Sequence, residues 1–201
     1  VVNNTNGGLT AGEAADGKFL EFDGVSTKSE KTYVALEPNL LQNPTAEANQ
    51  SFTFDIVFQV DEGHTFQDND AIYSTGGSGT HRGRMYCIKT SSDSKMRFRF
   101  GLDLDLYLDV PVGSLQRHTW VYTSGSVSLY INGVVTTIDN VVHDFYGPNM
   151  FRINSNDNGS ASEAGRVPMK LYGVNVFQSA LDSTQLQALW DQTSKVAGQT
   201  V

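Results

Sequence analysis

Four residues on two neighbouring segments carry the side chains best suited to hold a polar ligand: Arg97, Arg99, Asp105 and Tyr107. In Lys95-Met96-Arg97-Phe98-Arg99-Phe100 the apolar residues alternate with cations, as in a half-buried strand. Met96, Phe98 and Phe100 fall on one face, and Lys95, Arg97 and Arg99 on the other. Leu102 to Val110 alternates in the same way, with Asp103, Asp105, Tyr107 and Asp109 on its polar face. Paired strands would bring Arg97 and Arg99 against Asp103 and Asp105. Such a face has two readings. One is a set of cross-strand ion pairs, each contributing a fraction of a kcal/mol (~0.5). The other is a sugar-binding face, because planar bidentate groups bond vicinal hydroxyls and an aromatic ring packs on the apolar side of a pyranose.

Beside this hairpin lies Thr75-Gly76-Gly77-Ser78-Gly79-Thr80-His81-Arg82-Gly83-Arg84. It lacks the Gly-Lys-Ser/Thr ending of a phosphate loop. His81, Arg82 and Arg84 on a glycine-rich rim suit an anionic sugar, or are ordinary solvated cations. In Asn154-Ser155-Asn156-Asp157-Asn158-Gly159, Asn154, Asn156 and Asn158 put oxygen side chains at every second position before a glycine, as the start of a calcium loop does. Asn replaces the first Asp and Gly165 stands where the twelfth-position Glu would be, so an EF-hand is excluded. A structural Ca²⁺ or a metal-free Asn-Gly turn both remain as readings. Asp68-Asn69-Asp70 is a second oxygen-rich loop. His64, His81, His118 and His143 show no metal-ligand spacing.

Catalytic constellations are missing. Glycoside hydrolysis needs two carboxyl groups flanking the bond, and the nearest row, Asp103, Asp105 and Asp109, contains no Glu and has the look of a solvated strand face. No serine sits in a nucleophile-elbow setting. Cys87 shares its parity with Met85, the pattern of a buried thiol. His118, Trp120 and Tyr122 share one strand face, which is either core or a sugar platform.

The surrounding chain reads as a single domain. Its 201 residues, net charge of −8 and one cysteine exclude an intrachain disulfide and argue against nucleic acid or an anionic membrane as partner. No apolar run is long enough for a membrane span. The chain begins at Val1, as a processed chain or a fragment would, so its targeting signal is not legible. Residues 1–17 read as a tail or linker and 18–201 as the domain. Ser51 to Val60 alternates strictly, with Phe52, Phe54, Ile56, Phe58 and Val60 on one face. Strands are predicted at about 118–123, 127–131, 134–139, 149–154 and 168–177, with Asn132-Gly133 closing a hairpin. One helix is predicted near 182–192. Asp182 caps it, Gln185 completes a capping box, and Leu181 and Leu186 form a staple.

In order along the chain come Leu20-Glu21-Phe22-Asp23-Gly24, Ser51-Phe52-Thr53-Phe54, Ile72-Tyr73-Ser74, Leu129-Tyr130-Ile131-Asn132-Gly133 and Gly173-Val174 with Ala180-Leu181. This series resembles the concanavalin A-like lectin/glucanase superfamily in its laminin-G/pentraxin-like branch. The resemblance implies an all-β, two-sheet antiparallel jelly-roll sandwich with one short C-terminal helix, and rim loops that in that branch often hold Ca²⁺. The glycosidases of that superfamily carry a Glu-x-Asp-x-x-Glu type of carboxylate set, which has no counterpart here. The expectation is a non-catalytic carbohydrate-binding or adhesion module on an extracellular, cell or virion surface, with a glycan or glycoprotein as partner. The alternatives are a structural decoration protein that contacts neighbouring subunits and a polysaccharide-cleaving enzyme.

Overall fold

The computed structural model describes residues 2–4, 9–14, 17–24, 32–35, 51–75, 85–90, 94–101, 104–123, 125–139, 151–156, 163–164 and 167–196. Its strands in chain order are β1 (Val2–Asn4), β2 (Leu9–Ala14), β3 (Gly17–Phe22), β4 (Thr32–Ala35), β5 (Phe52–Val60), β6 (Ala71–Thr75), β7 (Met85–Lys89) and β8 (Met96–Phe100). They continue with β9 (Leu104–Leu108), β10 (Leu115–Thr123), β11 (Ser126–Ile131), β12 (Val134–Asp139), β13 (Phe151–Ile153), β14 (Ser155–Asn156), β15 (Glu163–Ala164) and β16 (Met169–Phe177). The helix α1 (Ser183–Val196) follows.

The long strands build two seven-stranded sheets. The first runs β1-β4-β13-β6-β7-β8-β9 and the second β12-β11-β10-β5-β16-β3-β2, and all the strand pairs are antiparallel. The period-two segments explain the layering. Phe54, Ile56, Phe58, Phe98, Phe100, Met85, Cys87 and Leu129 meet in one core between the sheets. Leu106 and Ile131 pack against it partly buried, and the side chain of Leu104 lies outside the described residues. The protein is therefore an all-β sandwich with, among the described residues, a single helix.

The ambiguous aromatic face of β10 is core. His118, Trp120 and Tyr122 are fully buried, so Trp120 and Tyr122 form no sugar platform. The Trp120 indole Nε1–H donates to the Tyr73 hydroxyl at 2.8 Å, and that hydroxyl lies 3.4 Å from His118 Nδ1. Phe58 and Phe98 meet the imidazole edge-on, at 4.9 and 5.1 Å between ring centres. Nε2 of His118 has no hydrogen-bond partner among the described residues. Burial alone pushes the imidazole pKa down to about 3, so His118 is neutral in the folded state.

Within the segment read as a tail, Val2–Asn4 and Leu9–Ala14 form strands: β1 pairs with β4 and β2 pairs with β3. The small residues of β2 had hidden it, because its face is completed by a neighbour rather than by its own side chains. A Cβ on Gly12 would come within 2.4 Å of the Phe19 ring, its cross-strand partner. The aromatic ring thus covers the glycine of an edge strand.

Helix α1 opens with the predicted capping box. Asp182 Oδ1 accepts from the Gln185 N–H at 2.9 Å, and Gln185 Oε1 accepts from the Asp182 N–H at 2.9 Å. The helix is tied to the outer face of the second sheet by a polar cluster around Asp55, which is completely buried. Asp55 accepts two hydrogen bonds from Arg117, at 2.8 and 2.9 Å, one from Thr119 at 2.7 Å and one from Asn175 at 3.2 Å. Arg117 also donates to the main-chain oxygen of Trp190 at 3.1 Å, and the Trp190 indole donates to Thr119 Oγ1 at 3.2 Å. The buried carboxylate is tolerated because its oxygens are met by four donors.

Candidate functional site

The outer face of the first sheet carries the polar residues singled out above. Antiparallel register sets two rows across it. One runs Arg152–Ser74–Tyr86–Arg99–Asp105 over β13, β6, β7, β8 and β9, and the next runs Ala71–Ile88–Arg97–Tyr107. Strands lie about 4.8 Å apart, so neighbours in a row are within side-chain reach. Ala71, Tyr86 and Ile88 form a small buried apolar cluster at the centre of the face. The arginines, Asp105 and Tyr107 stand beside it toward the β9 edge.

The two central arginines differ. Arg97 makes a two-pronged ion pair with Asp105: Nε donates to Oδ1 at 2.6 Å and Nη2 donates to Oδ2. Its Cζ also lies 5.7 Å from the centre of the Tyr107 ring. The hydrogen bond to Asp105 raises the Arg97 pKa further above its ordinary value, so this cation is compensated and fixed. Arg99 sits directly opposite Asp105 in the register, yet the carboxylate turns to Arg97. Arg99 instead donates from Nε to the Gly101 carbonyl at 2.9 Å and from Nη1 to the Tyr86 hydroxyl at 3.4 Å. Among the described residues Arg99 makes no ion pair. The outcome is an oriented guanidinium with retained positive charge beside the Tyr86 hydroxyl, while Tyr107, 44% exposed, stands opposite Arg97. The outermost ladder pair, Lys95 with Asp109 at 3.0 Å, is open to solvent and contributes little.

The structure thus brings together Arg97, Arg99, Asp105 and Tyr107. His81, Arg82 and Arg84 lie outside the described residues, as do Asp103 and Asn158. Tyr86 and Arg152 belong to the same face but were not singled out from sequence. Tyr86 was legible in the alternation Met85-Tyr86-Cys87, which points it away from the core. Arg152 lies in a three-residue strand, too short to show a period.

Asn154 has a structural role in the fold. Asn154 is buried at φ 59°, and its amide clamps Val167. Nδ2 donates to the Val167 carbonyl at 3.1 Å, and Oδ1 accepts from the Val167 N–H at 3.2 Å. An oxygen committed in this way serves main-chain pairing, and Asn is one of the few residues that tolerate that φ. Asn156 contributes main chain to β14, opposite Glu163, and its side chain lies outside the described residues. In the second oxygen-rich loop, Asp70 is buried and accepts from the Gln67 N–H at 2.8 Å, with His64 Nε2 3.1 Å away. No group of three or more His, Cys, Asp or Glu side chains suited to a metal occurs among the described residues.

No family model matches the sequence, and no curated protein matches it. Solved structures do match in fold. The CBM40 module of Ruminococcus gnavus IT-sialidase, solved with α2,3-sialyllactose, superposes with a TM-score of 0.57 at 16% identity, over 90% of this chain and 97% of that one. The binding domain of botulinum neurotoxin DC, solved in complex with SialylT, gives 0.62 at 13% identity over 96% of this chain and 46% of that one. The Trypanosoma rangeli sialidase gives 0.60 at 14% identity over 100% and 33%. The present chain spans about a third of the sialidase and just under half of the toxin domain. These likenesses identify the fold as a lectin-like β-sandwich.

Proposed function

We propose that this protein is a non-catalytic glycan-binding module that holds an acidic sugar on the outer face of its first sheet. The observation that carries this reading is Arg99: a cation oriented by the Gly101 carbonyl and the Tyr86 hydroxyl, in a chain of net charge −8, while Asp105 directly opposite it is paired with Arg97. A sugar carboxylate would pair with Arg99. Vicinal hydroxyls would bond to the Arg97–Asp105 pair, and the apolar sugar face would pack on Tyr107. The Gly-rich segment bearing His81, Arg82 and Arg84 would supply the rim. Fold neighbours solved with sialylated ligands support sialic acid as the first acid to test. We further read the motif series as membership of the concanavalin A-like superfamily, residues 18–201 as the core of one domain, and the setting as extracellular. Among the described residues no helix is long and apolar enough to cross a membrane.

Calorimetric titration of the protein with α2,3-sialyllactose and with lactose is the test. Binding of the acidic sugar at least about tenfold tighter than lactose, a difference of about 1.4 kcal/mol, is expected. Equal binding of both, or of neither, would overturn the reading. In the latter case the structural decoration role becomes the better account of the charge ladder.

A further inference from the structure

We infer that the outer edge of β12 is a self-association surface on which a second copy of this chain pairs, antiparallel, about a two-fold axis at Thr136. Among the described residues, the strand Val134-Val135-Thr136-Thr137-Ile138-Asp139 is the terminal strand of the second sheet. Edge strands that stay single are blunted by lysines, prolines or bulges. This one has none, and its register with β11 is unbroken over all six residues. Its side chains are open, with Val134 74% and Val135 49% exposed. It is β-branched throughout except for Asp139, so it is already suited to pairing.

The register of the proposed pair follows from the hairpin. Asn132 and Gly133 both have positive φ, 50° and 82°, and connect Ile131 to Val134 as a two-residue turn. Such a turn makes Ile131 and Val134 a hydrogen-bonded pair, and the pattern alternates from there. Val134, Thr136 and Ile138 therefore direct their main-chain groups to β11, while Val135, Thr137 and Asp139 direct theirs outward. A symmetric antiparallel partner must match outward groups to outward groups, so the axis falls on a residue. With the axis at Thr136, Val135 exchanges main-chain hydrogen bonds with Thr137 of the second copy. Val134 faces Ile138 across the join, and the two Thr136 residues face each other.

This register is also the one that charge and polarity favour. Val134, Thr136 and Ile138 stand opposite Ile131, Leu129 and Val127, so they share the face that covers the core, against which Ile138 already packs. Pairing continues that apolar face from one copy to the next. Asp139, the strand's one charged residue, falls opposite Gly133 of the other copy. The two carboxylates end at opposite ends of the join, about 20 Å apart. For a chain of net charge −8, keeping them apart matters. A two-fold between antiparallel strands is perpendicular to the sheet, so both first sheets lie on the same side of the pair. Two Arg99 faces then point one way, which would make the pair bivalent; that consequence rests on the glycan reading, whereas the pairing does not.

The test is sedimentation equilibrium of the full chain from about 1 μM to about 1 mM. The average mass is expected to rise from that of one chain toward that of two. Thr137→Pro, which removes an outward N–H and the exposed hydroxyl bond to Ser128 at 2.8 Å, and Val134→Lys, at an exposed position, should both hold the chain monomeric with unchanged circular dichroism. Thr136→Cys should give an intermolecular disulfide on mild oxidation, and Thr137→Cys should not, since Cys87 is buried. A wild-type chain that stays monomeric throughout, or a dimer that Thr137→Pro leaves intact, would overturn the inference.

Discussion

Arg97 and Arg99 are two residues apart on one strand face, yet their partners give them different work. Arg97 is tied to Asp105 and lies over Tyr107, so it stiffens the face. Arg99 is held by a carbonyl and a phenol, neither of which cancels its charge. Arg99→Ala should weaken binding of sialyllactose by about tenfold or more while moving folding stability by less than about 0.5 kcal/mol. A loss of stability without a loss of affinity, in paired calorimetry and urea unfolding, would make Arg99 a purely structural residue. His118 makes a separate prediction at this scale. Its folded pKa of about 3 lies below the ordinary value of 6.5, so the unfolded chain binds the proton first as pH falls. The contribution to stability is complete above about pH 6.5 and declines by up to about 1.4 kcal/mol per pH unit between there and pH 3. Urea titrations at pH 7 and pH 5 should reveal this slope, and His118→Phe should flatten it. An identical slope in that variant would assign acid sensitivity to other groups.

Among the elements, α1 is the clearest case of a sequence signal and its physical completion lying far apart. The capping box and the Leu181–Leu186 pair are local, so the helix start was legible from Asp182 and Gln185 alone. What holds the helix in place was not. Asp55 lies 62 residues from Arg117 and 120 from Asn175, and the period-two pattern of β5 only places it on the face opposite Phe54. That this face would be buried beneath a helix is a tertiary fact. Removing the carboxylate by Asp55→Ala leaves Arg117 inside without its partner and should cost about 3–5 kcal/mol in denaturant unfolding. The emission of Trp190 should shift to the red as its contact with Thr119 loosens. A cost below about 1 kcal/mol would show that the ion pair is incidental to docking. β2 shows the opposite limit: its Ala and Gly residues carry no period, because Phe19 of the adjacent strand supplies the cover. The asparagine series at 154–158 left both a metal loop and a metal-free turn open for a related reason. Oxygen spacing alone does not distinguish a metal loop from a side chain that bridges to the main chain of Val167.

For the whole molecule, the sandwich was legible because alternation in β5, β8 and β9 marks an apolar face on each strand, and such faces can be buried only against one another. The face of His118, Trp120 and Tyr122 was ambiguous until Tyr73 of the opposite sheet was seen to bond the indole. The polar face proposed to bind glycan was legible in Arg97, Arg99, Asp105 and Tyr107. It was incomplete without Tyr86 and Arg152, which only strand order places in the row of Arg99 and Asp105. The glycan site proposed above is this face of the first sheet. Amide chemical-shift mapping with ¹⁵N-labelled protein and α2,3-sialyllactose up to about 10 mM tests it most directly. Saturating shifts are expected at Tyr86, Arg97, Arg99, Asp105 and Tyr107, with little change on the opposite sheet. Shifts concentrated instead in the groove beside Gly12, Phe19 and Tyr172 at the β2–β3 edge, or no saturable shift anywhere, would contradict it.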